Sequence, residues 1–324
     1  MAILTALGDG DLASVARAFG LGPVRAEGIL AGSVNTNYRL DTERGETVFL
    51  RVYEEQDVAG ALRDVRLVGR LAAEGVPTPA PRERADGGGA IFVVRGKACA
   101  VTPWIAGAHR CQATVSAADV TKVGAALAGV HAVGERFDER DALTGPSRFD
   151  LAALRARLAK VDASSPEIAA AVARIGAVLN DVETRPAPAR ELPLVHGDLF
   201  RDNVLFTERG AILLDFESAS RGRAAFDVAV TMLAWCFGDT LDSGLCRAFA
   251  SGYSAGRNLT GAEASELFDA ARLACARFTT TRLTDYEQRP RGLGVYKDFR
   301  RWIRRLDAVE AIGRDAFPRA LGFG

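Results

Sequence analysis

Three histidines and five cysteines in 324 residues leave little from which to build an imidazole or thiolate metal centre. The cysteines (Cys99, Cys111, Cys236, Cys246 and Cys275) are odd in number and form no C-x-x-C pair. Scattered buried thiols in a reducing cytoplasm are therefore expected, in preference to disulfides or zinc. No apolar run approaches the roughly 20 residues that cross a bilayer. The Met1–Asp9 stretch lacks a basic segment followed by an apolar core, so no secretory signal is expected there. Lys plus Arg and Asp plus Glu both total 41, and so no global charge recruits nucleic acid or an anionic membrane. The absence of a G-x-x-x-x-G-K-[ST] stretch argues against a Walker-type phosphate loop. Gly87-Gly88-Gly89 has no Lys-Ser/Thr after it and reads as a turn.

What is present describes an ordinary globular chain, 48% hydrophobic and 25% charged, long enough for two lobes. Asp11–Phe19 has helical spacing and stops at Gly20. Gly28–Asp41 reads as strand, polar turn and alternating strand, and Thr47–Tyr53 as a further strand. An amphipathic helix over Ala59–Ala73 ends at Gly75-Val76-Pro77-Thr78-Pro79. Ala90–Val94 and Ala98–Pro103 read as paired strands. Strand-rich sequence ends near Trp104, and from Ala117 onward the chain is mostly helical. Pro186–Ala189 reads as a short linker, and Pro290–Val295 as a polar turn before the last helix. The fold class expected is α+β: a small antiparallel β-rich nucleotide-binding lobe over residues 1–103, and a larger helical lobe over 104–324 for catalysis and substrate binding.

His196-Gly197-Asp198-Leu199-Phe200-Arg201-Asp202-Asn203 spells H-x-D-x-x-x-x-N, and the apolar run ahead of Asp215-Phe216 completes the spacing of a kinase catalytic loop with its metal-binding Asp. Moving a γ-phosphoryl group to a hydroxyl needs one carboxylate to orient and deprotonate the acceptor. An amide oxygen and a second carboxylate must hold Mg²⁺ on the phosphates. Asp198, Asn203 and Asp215 supply these parts in that order. Thr207-Glu208-Arg209-Gly210 is a hairpin signal between two apolar runs, and a hairpin there folds Asp215 back beside Asn203. Each residue alone is equally well read as a local cap or a strand end; the combination points to ATP- and Mg²⁺-dependent phosphoryl transfer.

With these motifs the sequence resembles the aminoglycoside phosphotransferase/choline kinase superfamily, and within it the type II homoserine kinases, over nearly its whole length. Gly32-Ser33-Val34-Asn35-Thr36-Asn37-Tyr38 resembles the family's G-x-x-N-T-N-Y nucleotide loop, and His196–Phe206 its H-G-D-L-F-x-D-N-V-L-F. Trp235-Cys236-Phe237 resembles a family W-C-F, and Arg282-Leu283-Thr284-Asp285-Tyr286, Arg289-Pro290 and Lys297-Asp298 its C-terminal R-L-x-D…R-P…K-D. The resemblance implies a two-lobed protein-kinase-like fold and a cytoplasmic enzyme of threonine biosynthesis that phosphorylates L-homoserine. It also implies that Gly32, Ser33, Asn35, Thr36 and Asn37 cover the nucleotide phosphates. Arg51 stands where many members carry a phosphate-binding Lys, and choline kinases also use Arg there. Asp64 stands where an acid pairs with this base. Ser33-Val34 replaces the more usual Ile-Glu, and Phe299 a common Pro.

On this reading His196 braces the catalytic loop, while Asp227 caps the helix it begins and ties that helix to the loop. Homoserine needs a cation for its carboxylate and an acid for its ammonium. Arg201, Arg282 and Lys297 are the candidate cations, and Asp202 and Asp285 the candidate acids. Two alternatives stay open: choline, ethanolamine or an aminoglycoside as acceptor, and a non-catalytic nucleotide-binding pseudokinase.

Overall fold

The computed structural model describes residues 3–30, 34–137, 147, 149–185, 192–288 and 296–324. Gly32, Ser33, the Pro186–Ala189 linker, Arg289 and the polar turn over 290–295 lie outside them. Two compact units result, one ending at Gly107 and the other beginning at Ala108.

In the N-terminal unit, α1 (Asp9–Ala18) precedes β1 (Val24–Ile29), β2 (Thr36–Thr42) and β3 (Thr47–Val52). Then come α2 (Val58–Ala73), β4 (Phe92–Val94) and β5 (Lys97–Pro103). The strands form one antiparallel five-stranded sheet in the order β1-β2-β3-β5-β4. Strand residues alternate between faces, and each face finds a helix. Leu40, Val48, Leu50, Val52, Cys99 and Val101 pack with Val15 and Ala16 of α1 and with Phe19 at its C-cap. Ala98 and Ala100 turn the other way and meet Ala61 and Val65 of α2. Asp57 caps α2 by accepting the Gly60 N–H at 2.7 Å.

The C-terminal unit is helical: α3 (Ala117–Gly134), α4 (Leu151–Leu158), α5 (Pro166–Glu183), α6 (Ala224–Trp235), α7 (Ser243–Gly256), α8 (Gly261–Arg282), α9 (Arg300–Ile312) and α10 (Phe317–Ala320). Short strands interrupt the helices: β6 (Leu194–Val195) pairs with β9 (Ser220–Arg221), and β7 (Val204–Thr207) with β8 (Gly210–Leu213). Helix α6 is apolar on nearly every side, and all its residues but Phe226 are buried, as expected of a helix at the centre of a core.

Two expectations need correction. Cys99, Cys236, Cys246 and Cys275 are buried free thiols, but Cys111 is exposed because it lies in the turn ahead of α3. Asp227 does not begin its helix. Helix α6 starts at Ala224 with Arg223 as its N-cap, a side chain without an acceptor to make a cap bond. Of the two roles expected of Asp227, only the tie to the loop is made.

Helices α3 and α7 touch through glycines. A Cβ on Gly252 would collide with the Thr121 carbonyl, and one on Gly124 with the Phe249 carbonyl. Gly252→Ala is therefore expected to destabilise the protein by about 1–3 kcal/mol. Gly129→Ala, where nothing lies within 4 Å of the new methyl, should be neutral or mildly stabilising. Thermal denaturation of the two variants checks the contrast.

Candidate active site

The β7–β8 hairpin runs in register from Val204↔Leu213 to Thr207↔Gly210. One step beyond its open end the Leu214 N–H donates to the Asn203 carbonyl at 2.9 Å, so Asn203 and Asp215 arrive side by side. Asn203 donates from Nδ2 to the Asp198 carbonyl at 2.7 Å. With that N–H committed, the amide turns its oxygen away as an acceptor. Asp215 holds left-handed backbone angles, φ 63° and ψ 71°, a region that Asp and Asn tolerate better than most residues with a Cβ. Such strain persists only where the surroundings impose it, and the short turn Phe216–Ser218 follows at once.

The loop before the hairpin is hung on one carboxylate. Asp227 is fully buried and accepts the backbone N–H groups of His196 at 2.6 Å and Gly197 at 2.8 Å. His131 Nε2 approaches it to 3.0 Å, and His131 Nδ1 lies 2.7 Å from the Tyr253 hydroxyl. Burial alone would raise the Asp227 carboxyl; the bond from His131 and those from the loop outweigh it and hold the group below the ordinary range. The His196 ring accepts the Asp198 N–H at Nδ1 (3.3 Å), and so donates from Nε2 to the Leu214 carbonyl at 3.0 Å. His196 thus clips the Asp198 loop to the strand that carries Asp215. Gly197 has φ +77°, and a Cβ there would come within 2.9 Å of the Ser218 carbonyl. Only glycine fits this position of the motif.

Beside Asp198 stands a residue that no sequence pattern indicated. Arg277, on α8, donates from Nη1 to the Gly197 carbonyl, and its Nη2 lies 3.9 Å from Asp198 Oδ1. The guanidinium is 4% exposed and lies on the rings of Phe149 (3.9 Å) and Phe278 (4.6 Å). Loss of solvation raises the Asp198 carboxyl, and the Arg277 charge is the foremost influence pulling it back. His131 was missed in the same way: an isolated residue on a helix has no motif around it.

The remaining predicted residues are placed as follows. Arg201 donates to the Ala234 carbonyl at 2.5 Å and to Gln112 at 3.4 Å. Asp285 accepts from Arg157 at 2.5 Å and from Thr284 at 2.8 Å. Lys297, half-buried, lies 3.7 Å from the exposed Asp202. Arg282 donates to the Asp298 carbonyl at 3.0 Å. In the N-terminal unit, Thr36 is buried; its hydroxyl donates to Glu54 at 2.6 Å and accepts the Leu4 and Thr5 N–H groups. The Asn35 side chain accepts the Glu54 N–H at 3.1 Å. Asn37 pairs across the sheet with Arg51. Asp64 accepts the Tyr53 hydroxyl at 2.6 Å.

Residues 25–259 match the model of the phosphotransferase enzyme family. The chain belongs to that family. It is 33% identical to a homoserine kinase of Methylocella silvestris, over 97% of this chain and 97% of the relative. It is 35% identical to a homoserine kinase of Gluconacetobacter diazotrophicus, over 99% and 97%. Among solved structures, an amicoumacin kinase in complex with AMP-PNP, Ca²⁺ and Ami superposes with a TM-score of 0.71 at 14% identity, covering 94% of this chain and 93% of that one. A microcompartment-associated aminopropanol kinase gives 0.70 at 14%, covering 97% and 98%. At such identities these structures speak for the fold, which is the two-lobed protein-kinase-like fold of this family of phosphotransferases.

A base at Asp198 works as its carboxylate, so activity falls as pH drops through its pKa. Replacing Arg277 by Met removes the nearest cation and raises that pKa further. The acid limb of the kcat/KM profile should then move to higher pH by about one unit, while Arg277→Lys restores most of the wild-type profile. A profile that does not move in Arg277→Met separates the two groups.

Proposed function

We propose that this chain transfers the γ-phosphoryl group of ATP to the hydroxyl of L-homoserine, with Mg²⁺ as cofactor. The observation that carries this reading is the gathering of Asp198, Asn203 and Asp215 at one loop and hairpin end, in a chain that matches homoserine kinases almost from end to end.

The acceptor hydroxyl lies against Asp198, which aligns its oxygen with the γ-phosphorus and takes its proton as the new O–P bond forms and the β–γ bridge bond breaks, releasing ADP. Such transition states are loose, so positioning matters more than basicity. The raised carboxyl of Asp198 is nonetheless a better proton acceptor than an ordinary aspartate. The Asn203 amide oxygen and the Asp215 carboxylate hold the cation. Among the described residues no group of three or more His, Cys, Asp or Glu is placed to hold a metal. One carboxylate and one amide suit Mg²⁺, which takes most of its ligands from phosphates and water. When bound, it neutralises charge on the phosphate oxygens. Arg51 serves the phosphates from the N-terminal unit, where a guanidinium can bridge two oxygens. Thr36 and Asn37, at the start of β2, and Asn35 just before them serve the nucleotide there as well, with Asp64 as the acid that orients Arg51. Four buried free thiols suit a reducing cytoplasm. Among the described residues no helix is long and apolar enough to cross a membrane.

Asp198→Asn is expected to bind ATP normally and to lose at least about a hundredfold in kcat. ADP release with L-homoserine, beside calorimetric nucleotide binding, checks both halves. Activity above a tenth of wild type would remove Asp198 from the chemistry. A panel of homoserine, choline, ethanolamine and an aminoglycoside in the same assay tests the acceptor, and turnover confined to a cationic acceptor without a carboxylate would overturn the homoserine assignment.

Asn203→Ala and Asp215→Ala should both raise the Mg²⁺ concentration needed for half-maximal rate, Asp215 more because it carries formal charge. Titration of the rate against Mg²⁺ at fixed ATP is the measurement. Unchanged metal dependence in both would place the cation elsewhere.

A further inference from the structure

Four arginines of the C-terminal unit gather where α6 ends and α9 begins. Arg305 donates from Nε to the Leu233 carbonyl and from Nη1 to the Arg301 carbonyl, both at 2.7 Å. Arg201 reaches the adjacent carbonyl of α6, that of Ala234. Arg282, the last residue of α8, lies 5.6 Å from the centroid of the Trp302 ring, and Arg305 lies 5.1 Å from the same ring. Arg282 is 9% exposed and Arg305 5%. Among the described residues none of the four guanidiniums has a carboxylate within ion-pair distance.

Burying a guanidinium without a counter-charge is costly. Backbone carbonyls offset part of that cost here and none of the net charge. Desolvation and the neighbouring Arg301 charge bring Arg282 down to about 10; desolvation with the charges of Arg282 and Arg301 brings Arg305 down to about 9. Asp298 and Asp198 act on Arg282, and Asp202 on Arg201, through space alone, so among the described residues no carboxylate is in contact with the cluster. Its members differ in what they still offer. Arg201 and Arg305 are fastened to the end of α6. Among the described residues Arg282 uses only Nη1, on the Asp298 carbonyl, and the Trp302 ring beside its guanidinium meets Phe200 of the Asp198 loop at 5.9 Å. Arg301 is exposed, and its side chain makes no hydrogen bond with a described residue. The other candidate cation, Lys297, already faces Asp202, and Asp285 is held by Arg157.

We infer that Arg282, backed by Arg301, binds the α-carboxylate of the acceptor and makes the enzyme choose a carboxylate-bearing amino-alcohol over its decarboxylated counterpart. This rests on the homoserine reading. A planar guanidinium presents two parallel N–H groups to a carboxylate. The cluster leaves that fork on the residue that Trp302 and Phe200 connect to the Asp198 loop.

The test compares L-homoserine with 3-amino-1-propanol, the same chain without the carboxylate, in the wild type, Arg282→Met, Arg282→Lys and Arg301→Met. The wild type should favour homoserine in kcat/KM. Arg282→Met should raise KM for homoserine by about 10- to 100-fold. KM for ATP and the kinetics on 3-amino-1-propanol should hold, so the preference collapses. Arg282→Lys should recover part of it, and Arg301→Met, at an exposed position, should lose a smaller part. Should Arg282→Met fail to fold, the Lys and Arg301 variants carry the same comparison. A preference equal to wild type in every folded variant overturns the carboxylate site while leaving the homoserine reading intact. A wild type that does not turn over homoserine overturns that reading, and the carboxylate site with it.

Discussion

The buried carboxylate of Asp227 is the constraint on which the active-site loop depends. It accepts two consecutive backbone N–H groups, those of His196 and Gly197, and faces His131 on its remaining side. A buried donor left without an acceptor costs about 1–3 kcal/mol, so two of them are a sizeable fraction of the roughly 5–15 kcal/mol that keeps a domain folded. The loop therefore has one low-energy position. Because Asp227 sits in the first turn of the almost wholly buried α6, that position is referred to the core of the C-terminal unit.

From this anchor the other parts are placed by short, local ties. His196 joins the loop to Leu214, the Asn203 amide joins it to the Asp198 carbonyl, and the hairpin brings Asp215 to Asn203. Preorganisation of this kind suits a reaction in which alignment contributes more than base strength. The strained backbone at Asp215 fits the same pattern, since an unfavourable φ survives where hydrogen bonds on both sides over-determine it.

Electrostatics gives the site its second layer. Helix α8 is an unusual core element, with Arg277, Thr279, Thr280 and Arg282 all buried near its C-terminal end. Arg277 stands beside Asp198, and Arg282 in a cluster of cations without carboxylate partners among the described residues. Buried charge is expensive, and Arg277 offsets that cost against Asp198 and the Gly197 carbonyl.

Much of this was legible in the sequence because the relevant signals are local. Period-two alternation and turn residues gave the strands of the N-terminal sheet. The Thr207–Gly210 turn gave the hairpin, and the H-x-D-x-x-x-x-N spacing named Asp198 and Asn203. The signals that misled were local too. Asp227 reads from its neighbours as a helix cap that also ties the helix to the loop; the cap is not made, and the tie is, to N–H groups 30 residues away for Gly197 and 31 for His196. Arg277 and His131 sit on helices with no motif around them, and their partners, Gly197 and Asp227, lie 80 and 96 residues distant. The sequence by itself determined that Asp198, Asn203 and Asp215 meet at one loop and hairpin end, and in what order, because that is set by spacing along a short stretch of chain. Which cation faces the aspartate, and which arginines lack a counter-charge among the described residues, only the tertiary structure decided, because burial and ion pairing depend on what packing brings together from distant parts of the chain.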